Sequence, residues 1–130
     1  MARQGHMGPD DNMYCSPSMC GILNVTNNVG RMTFEKDAAW EQAVILYRIE
    51  NGQYTHVAEK GTYGRDMDPI DVSPGKYLVS GWHKEVDHSA SKPWIQSYVQ
   101  TTVNDDASIT FGFEDTFDND FNDITATFKQ

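Results

Sequence analysis

The strongest constraint on this chain is a pair of period-two runs near its end. Ile109, Phe111 and Phe113 recur at every second position, and Ile124-Thr125-Ala126-Thr127-Phe128 alternates apolar with polar residues. Successive side chains of a strand point to opposite faces, so each run lays its apolar residues on one side of a sheet. Between the runs stands Glu114-Asp115-Thr116-Phe117-Asp118-Asn119-Asp120-Phe121-Asn122-Asp123. An acidic connection therefore joins two strands.

The rest of the chain reads in the same way. Gly21 to Thr26 is an expected strand, and Asn27-Asn28-Val29-Gly30 a turn in which Asn and Gly supply positive φ. Met32 to Phe34 reads as a short strand, and residues 35–41 as a helical turn. The unbroken apolar run Ala43-Val44-Ile45-Leu46-Tyr47 predicts a strand buried on both faces. Asn51-Gly52 is a hairpin signal, with Tyr54 to Ala58 returning from it. Gly61 to Pro69 reads as loop, Ser73-Pro74-Gly75-Lys76 as a turn into Tyr77–Trp82, and Lys84 to Pro93 as a polar connection. Trp94 to Val103, rich in β-branched and aromatic residues, reads as one strand. Asn104-Asp105-Asp106 is a turn. The fold expected is all-β, an antiparallel β-sandwich of about seven to nine short strands. Residues 1–19, rich in Gly, Pro, Asp, Asn and Ser, read as a flexible arm, and residues 20–130 as the folded domain.

Charge narrows the function. The formal net charge is −9, and no base lies between Lys92 and Lys129, an interval with seven acids. The remainder carries twelve acids against ten bases. The excess is thus local, at the acidic connection. A basic stripe for nucleic acid or anionic membrane is missing. No stretch is long and apolar enough to cross a membrane as a helix. Met1–Pro9 has no apolar core of a leader, so the expectation is a cytoplasmic chain that reaches extracellular glycans by a non-classical route. Cys15 and Cys20 are expected as reduced thiols, and the sequon Asn24-Val25-Thr26 as bare.

Crowded carboxylates repel one another and raise each other's pKa. A hard cation relieves this, and calcium takes six to eight oxygen ligands in irregular geometry. Asp118-x-Asp120-x-Asn122 has the spacing that opens an EF-hand loop, but Asp123 stands where that loop needs glycine, and no helical pattern flanks it. The reading is a calcium-type loop feeding a strand, against a plain solvated acidic loop. Catalysis has little support. His6, His56, His83 and His88 show no ordered spacing with a nucleophile, and His83 and His88 read as solvated. The carboxylates are too crowded to flank a glycosidic bond.

Gly112-Phe113-Glu114-Asp115-Thr116-Phe117-Asp118-Asn119-Asp120-Phe121-Asn122-Asp123 resembles the signature of the calcium-mediated fucose- and mannose-binding lectins of bacteria. Gly21 to Gly30 looks like that family's first strand, ligand asparagine and sugar-selecting loop. The resemblance implies a non-enzymatic lectin that binds fucosylated or mannose-like glycans through two Ca2+ ions. Carried over, Glu114, Asp118, Asp120 and Asp123 would hold one ion, and Asn27, Asp120, Asn122 and Asp123 the other. Asn28, Val29, Gly30, Asp115, Asp118 and Asp120 would meet the sugar. In the family a partner subunit's C-terminal glycine carboxylate completes the site. Gln130 ends this sequence instead, so the expectation is either another oxygen or water in that place, or a site that has drifted. Weak single sites gain from multivalency, so a homodimer or larger assembly is expected.

Two alternatives stay open. One is a calcium-independent fucoside-binding lectin, of the fungal kind on the same sandwich, with its site at a subunit interface. Tyr63, Trp82 and Trp94 would stack on sugar there, and Arg65 would bond hydroxyls; Tyr98 is a further aromatic able to stack on a sugar's apolar face. The other is a structural sandwich that uses calcium only to fold.

Overall fold

The computed structural model describes residues 19–36, 41–62, 66–84, 94–114 and 124–130. Ten strands occupy them: β1 (Gly21–Val25), β2 (Gly30–Lys36), β3 (Gln42–Glu50), β4 (Gln53–Gly61), β5 (Ile70–Val72), β6 (Gly75–His83), β7 (Ile95–Gln96), β8 (Tyr98–Val103), β9 (Ile109–Glu114) and β10 (Ile124–Lys129). They form two antiparallel sheets. The first has the order β1-β6-β3-β4, with β7 beside β6, and the second the order β5-β2-β10-β9-β8. This is the expected β-sandwich, with no helix among the described residues.

Alternation builds the core. Leu23 and Val25 of β1, Met32 and Phe34 of β2, Phe111 and Phe113 of β9, and Ile124, Ala126 and Phe128 of β10 are buried between the sheets with Val44, Leu46, Tyr77 and Val79. Glycines let the large rings in. A Cβ on Gly21 would lie 2.3 Å from the Phe111 ring, and one on Gly81 equally close to Phe113. The run Ala43–Tyr47 is buried on both faces, as its continuous apolarity requires. Its second face joins Ala43, Ile45 and Tyr47 to Leu78, Trp82 and Trp94 in a separate apolar cluster. The β3–β4 hairpin turns at Asn51 and Gly52, with φ of 53° and 76°. Its register slips between Leu46 and Tyr47, which face Ala58 and His56, so Val57 is the extra residue of a bulge.

Several expectations need correction. Trp94–Val103 is not one strand. β7 pairs with β6 in the first sheet and β8 with β9 in the second, so the chain changes sheets at Ser97. Ser97 anchors the step, its amide donating to the Gly81 carbonyl at 2.8 Å. Gly30 opens β2 rather than lying in the turn, because it pairs with Val72 of β5; the Phe128 ring packs so close that a Cβ there would stand 2.2 Å from it. Glu35 and Lys36 extend β2 instead of starting a helical turn, since they pair with Thr125 and Ile124 of β10. Ile70–Val72, which the sequence reading assigned to no element, is a strand against Gly30–Met32. The arm over residues 1–18 lies outside the described residues.

Candidate functional site

The acidic connection leaves the second sheet at Glu114 and returns at Ile124. Ile124 pairs with Phe113 on one side and Lys36 on the other, while Glu114 lies opposite Tyr98. Glu114 is 2 % exposed at the last position of β9. A carboxylate that deeply placed requires hydrogen-bond donors or a cation around it. Asp115, Asp118, Asp120, Asn122 and Asp123 lie outside the described residues, as do Tyr63, Arg65 and His88. Among the described residues no group of three His, Cys, Asp or Glu side chains is placed to hold a metal ion.

The same end of the sandwich carries polar groups that sequence reading passed over. Glu41 and Lys84 are both buried and stand 3.9 Å apart, with the Lys84 Nζ 5.0 Å above the Trp94 ring. His83 is buried, not solvated, with Nδ1 2.8 Å from the Ser97 hydroxyl. Trp82 Nε1 donates to Ser80 Oγ at 2.8 Å. Gln96 Nε2 donates to Cys20 Sγ at 3.6 Å. Nearby, Lys60 donates to Asp66 at 2.5 Å and holds the Asp66 carboxyl below its ordinary range. The available signal for His83 and Lys84 was their place directly after Trp82: His83 closes β6, buried throughout Tyr77–His83, and Lys84 is the next residue.

Asn27 and its loop lie elsewhere. Asn27 takes φ 71°, as the turn reading required. The turn precedes β2, whose first residues pair with the end of β10: Arg31 faces Lys129, and Lys36 faces Ile124. The side-chain amide of Gln130 donates to the carbonyls of Thr26 and of Asn28, the latter at 2.9 Å. Along β10 the five steps from Ile124 to Lys129 span roughly 17 Å. Within one chain, Asn27, Asn28, Val29 and Gly30 therefore sit at the opposite end of the sheet from Glu114. Asp115, Asp118, Asp120, Asn122 and Asp123, which Asn27 was expected to join, lie outside the described residues.

The aromatic alternative is also corrected in part. Trp82 and Trp94 are 1 % and 3 % exposed inside the second apolar cluster, so neither presents a ring face to a sugar. Tyr98, opposite Glu114 in register, is 55 % exposed.

At the Asn27 end a shallow pocket of about 400 Å³ is lined by Arg31, Thr33, Asp106, Ser108, Thr127, Lys129 and Gln130. Asp106 accepts from the Ser108 hydroxyl at 2.6 Å, the Ser108 amide at 3.0 Å and Lys129 at 3.2 Å. These donors, the hydroxyl first, lower its pKa from 3.8 to about 2. Arg31 stands 3.5 Å from Asp71, so each cation of the pocket has a carboxylate neighbour and the cluster is close to neutral.

No family model and no curated protein matches this sequence. Solved structures do resemble it. The C-terminal domain of the BC2L-C lectin from Burkholderia cenocepacia is 17 % identical with a TM-score of 0.58, over 84 % of this chain and 93 % of that one. The Chromobacterium violaceum lectin CV2L, in complex with α-methyl-fucoside, is 16 % identical with a TM-score of 0.58, over 83 % and 93 %. A Ralstonia solanacearum high-affinity mannose-binding lectin is 18 % identical with a TM-score of 0.51, over 83 % and 93 %. At that identity the likeness establishes a shared fold, and the fold this chain adopts is the sandwich of these bacterial lectins.

Proposed function

We propose that this chain is a non-enzymatic lectin that binds fucose- or mannose-like sugars through calcium held by the acidic connection. One observation carries the reading: the sandwich is shared with lectins described as binding a fucoside and mannose, and the acidic run lies between β9 and β10 of that sandwich. Glu114, Asp118, Asp120, Asn122 and Asp123 would supply the oxygens, a donor set suited to a hard cation. Calcium offers open coordination positions to a sugar's vicinal hydroxyls. The chain's own contribution is to crowd the carboxylates so that they need the ion, and to fix the connection by strands paired on both sides. Asp115 follows Glu114 in sequence and Tyr98 faces it in register, and in this reading both would touch the sugar outside the metal shell.

The test is a glycan array run with calcium and with a chelator, on protein stripped of metal beforehand. Fucosylated or mannosylated glycans bound with calcium and released by chelator support the reading. Binding that survives the chelator transfers the proposal to a metal-independent site, and no binding in either condition removes the lectin reading.

A further inference from the structure

The pocket at the Gln130 end of the second sheet is built on an unfavourable pairing. Arg31 of β2 and Lys129 of β10 are direct cross-strand partners on the outer face of the sheet. Like charges set directly opposite destabilise a sheet, because their Cβ atoms stand only about 4.5–5.5 Å apart. The acids of the cluster lie on its flanks. Asp71 of β5 pairs with Arg31 on the far side, and Asp106 reaches Lys129 from the turn before β9. The row thus runs carboxylate, guanidinium, ammonium, carboxylate. The flanking contacts, at 3.5 and 3.2 Å, join side chains that are all more than half exposed. Ion pairs of that kind contribute little. Neither holds its cation against a better partner placed between the two.

A chain of hydrogen bonds brings further donors to the same pocket. The ionised Asp106 carboxylate only accepts, so the Ser108 hydroxyl, 2.6 Å away, directs its single hydrogen to it. The Asn104 amide, 3.0 Å from that hydroxyl, must then be the donor, which fixes its nitrogen on this side. The same nitrogen donates to Thr110 Oγ1 at 2.9 Å. Thr110 and Thr127 are cross-strand partners with their hydroxyl oxygens 3.1 Å apart. A chain polarised from Asn104 runs through Thr110 to Thr127 and leaves the Thr127 hydrogen for the pocket. Thr33, directly opposite Thr127, lines the same pocket. The one carboxylate in the lining, Asp106, has Oδ1 engaged by the amide and hydroxyl of Ser108. A pocket so rich in donors selects a ligand rich in acceptors.

We infer that this pocket binds a tetrahedral oxyanion, a sulfate or phosphate group, seated between Arg31 and Lys129 and hydrogen-bonded by Thr33 and Thr127. The guanidinium fork matches two oxygens of such a group, and the ammonium and the hydroxyls meet the others. The anion relieves the repulsion between the two cations, while Asp71 and Asp106 stay on their outer sides. The acid excess of the chain does not oppose it. The acidic run is anchored at Ile124, roughly 17 Å along β10 from Lys129. That is well beyond the screening length of about 8 Å at physiological salt. The site uses no metal and does not rest on the sugar reading. Its group arrives either as the free inorganic ion or as an ester on a sugar, and the two sources share this chemistry.

The test is an amide NMR titration of the full chain in the presence of chelator, at constant ionic strength set with chloride. Melting temperature is not the readout, because sulfate and phosphate stabilise folded proteins by exclusion from their surface. Inorganic sulfate, inorganic phosphate and a sulfated monosaccharide are titrated separately, with the unsulfated sugar as the blank. Saturable shifts are expected at the backbone amides of Arg31, Thr33, Thr127 and Lys129, and none in β3 or β4. Arg31→Gln and Lys129→Gln, both at exposed positions, are each expected to weaken binding about tenfold with an unchanged circular dichroism spectrum. Thr127→Val keeps the shape, removes the donor and is expected to weaken binding severalfold. Lys76→Gln removes the same charge from the first sheet and is expected to leave affinity unchanged. An inorganic ion that binds as tightly as the ester assigns the site to the free ion. Tighter binding of the sulfated sugar than of either inorganic ion assigns it to the ester, and both results support the inference. Shifts that never saturate with any of the anions, an affinity that survives both Arg31→Gln and Lys129→Gln, or an equal loss in Lys76→Gln each overturns it. A chain that fails this titration but binds glycan through calcium keeps the function proposed above. A chain that binds the anion but no glycan loses that function and keeps this site.

Discussion

Gly81→Ala tests the way the two sheets meet. Gly81 lies on β6 opposite Val44, at a position facing the second sheet, and its backbone is in the ordinary extended range. A Cβ added there would stand 2.3 Å from two carbons of the Phe113 ring and 2.9 Å from that residue's Cβ. Phe113 is 0 % exposed and cannot swing into solvent. Overpacking of this kind costs about 1–3 kcal/mol, and an immovable ring puts it near the upper end. Removing glycine from the unfolded chain returns about 0.4–1 kcal/mol. The net expected loss is about 2 kcal/mol. With an unfolding entropy of about 2.1 cal/mol/K per residue, 1 kcal/mol shifts Tm by about 4 °C in a domain of this size, so Tm should fall by about 8 °C.

Scanning calorimetry of wild type, Gly81→Ala, Phe113→Leu and the double variant measures it. Shrinking the ring makes room for the methyl, so the two changes should be less than additive by about 1 kcal/mol or more. Gly52→Ala is the contrast. Nothing lies within 4 Å of a Cβ there, but φ is 76°, so it should cost only the conformational term of about 1 kcal/mol with no coupling to Phe113. A Gly81→Ala chain as stable as wild type, or strict additivity with Phe113→Leu, would refute the ring-on-glycine packing that sets the sheet separation.

Asp120→Ala deletes a carboxylate from the middle of the acidic run and should abolish both calcium and glycan binding in calorimetry; retention of the glycan at wild-type affinity would discard the metal-mediated reading. Asn28→Ala changes the turn at the other end of the sheet and should leave glycan preference unchanged on the array, so a shift in selectivity would show that the turn reaches the sugar. Calcium should raise the Tm of metal-stripped protein at neutral pH, because a ligand that binds only the native state stabilises it by mass action. The folded pKa of Asp106 lies below its ordinary value, so its ionised form favours the native state above about pH 4, and that contribution fades as pH falls toward 2. The Tm gap between wild type and Asp106→Asn should accordingly be constant from pH 7 to 5 and close below pH 4; a gap that persists at pH 2 would mean the ionised carboxylate is not its source.

Most of the sandwich was legible because period two is a direct record of which face is wet. β1, β2 and β10 each alternate in burial as they alternate in sequence, whereas β9 is buried at every position from Phe111 to Glu114. The Asn-Gly hairpin and the double burial of β3 were equally visible. What failed has a common cause. Ser97 divides a run whose residues all favour strands, and propensity carries no information about which sheet a strand joins. β5 hides at the end of a Gly/Asp/Pro-rich stretch and exists only because β2 offers it an edge. Gly30 has turn chemistry in isolation, and its pairing with Val72 of β5 decides otherwise.

The candidate site shows where local reading stops. The acidic connection declares its chemistry in sequence, and the turn at Asn27 declares its backbone. Whether two such segments meet is a question of strand direction. β10 is antiparallel to both neighbours, so Ile124, where β10 begins, lies beside the end of β2, and Arg31, near the start of β2, lies beside the end of β10. Strand direction thus sets the anchor of each segment, whatever its residues. Glu114 stands at the end that also holds Lys36, Glu41, His83, Lys84 and Tyr98. There the buried Glu41–Lys84 pair and the His83–Ser97 hydrogen bond already concentrate polar chemistry against the floor of Trp82 and Trp94.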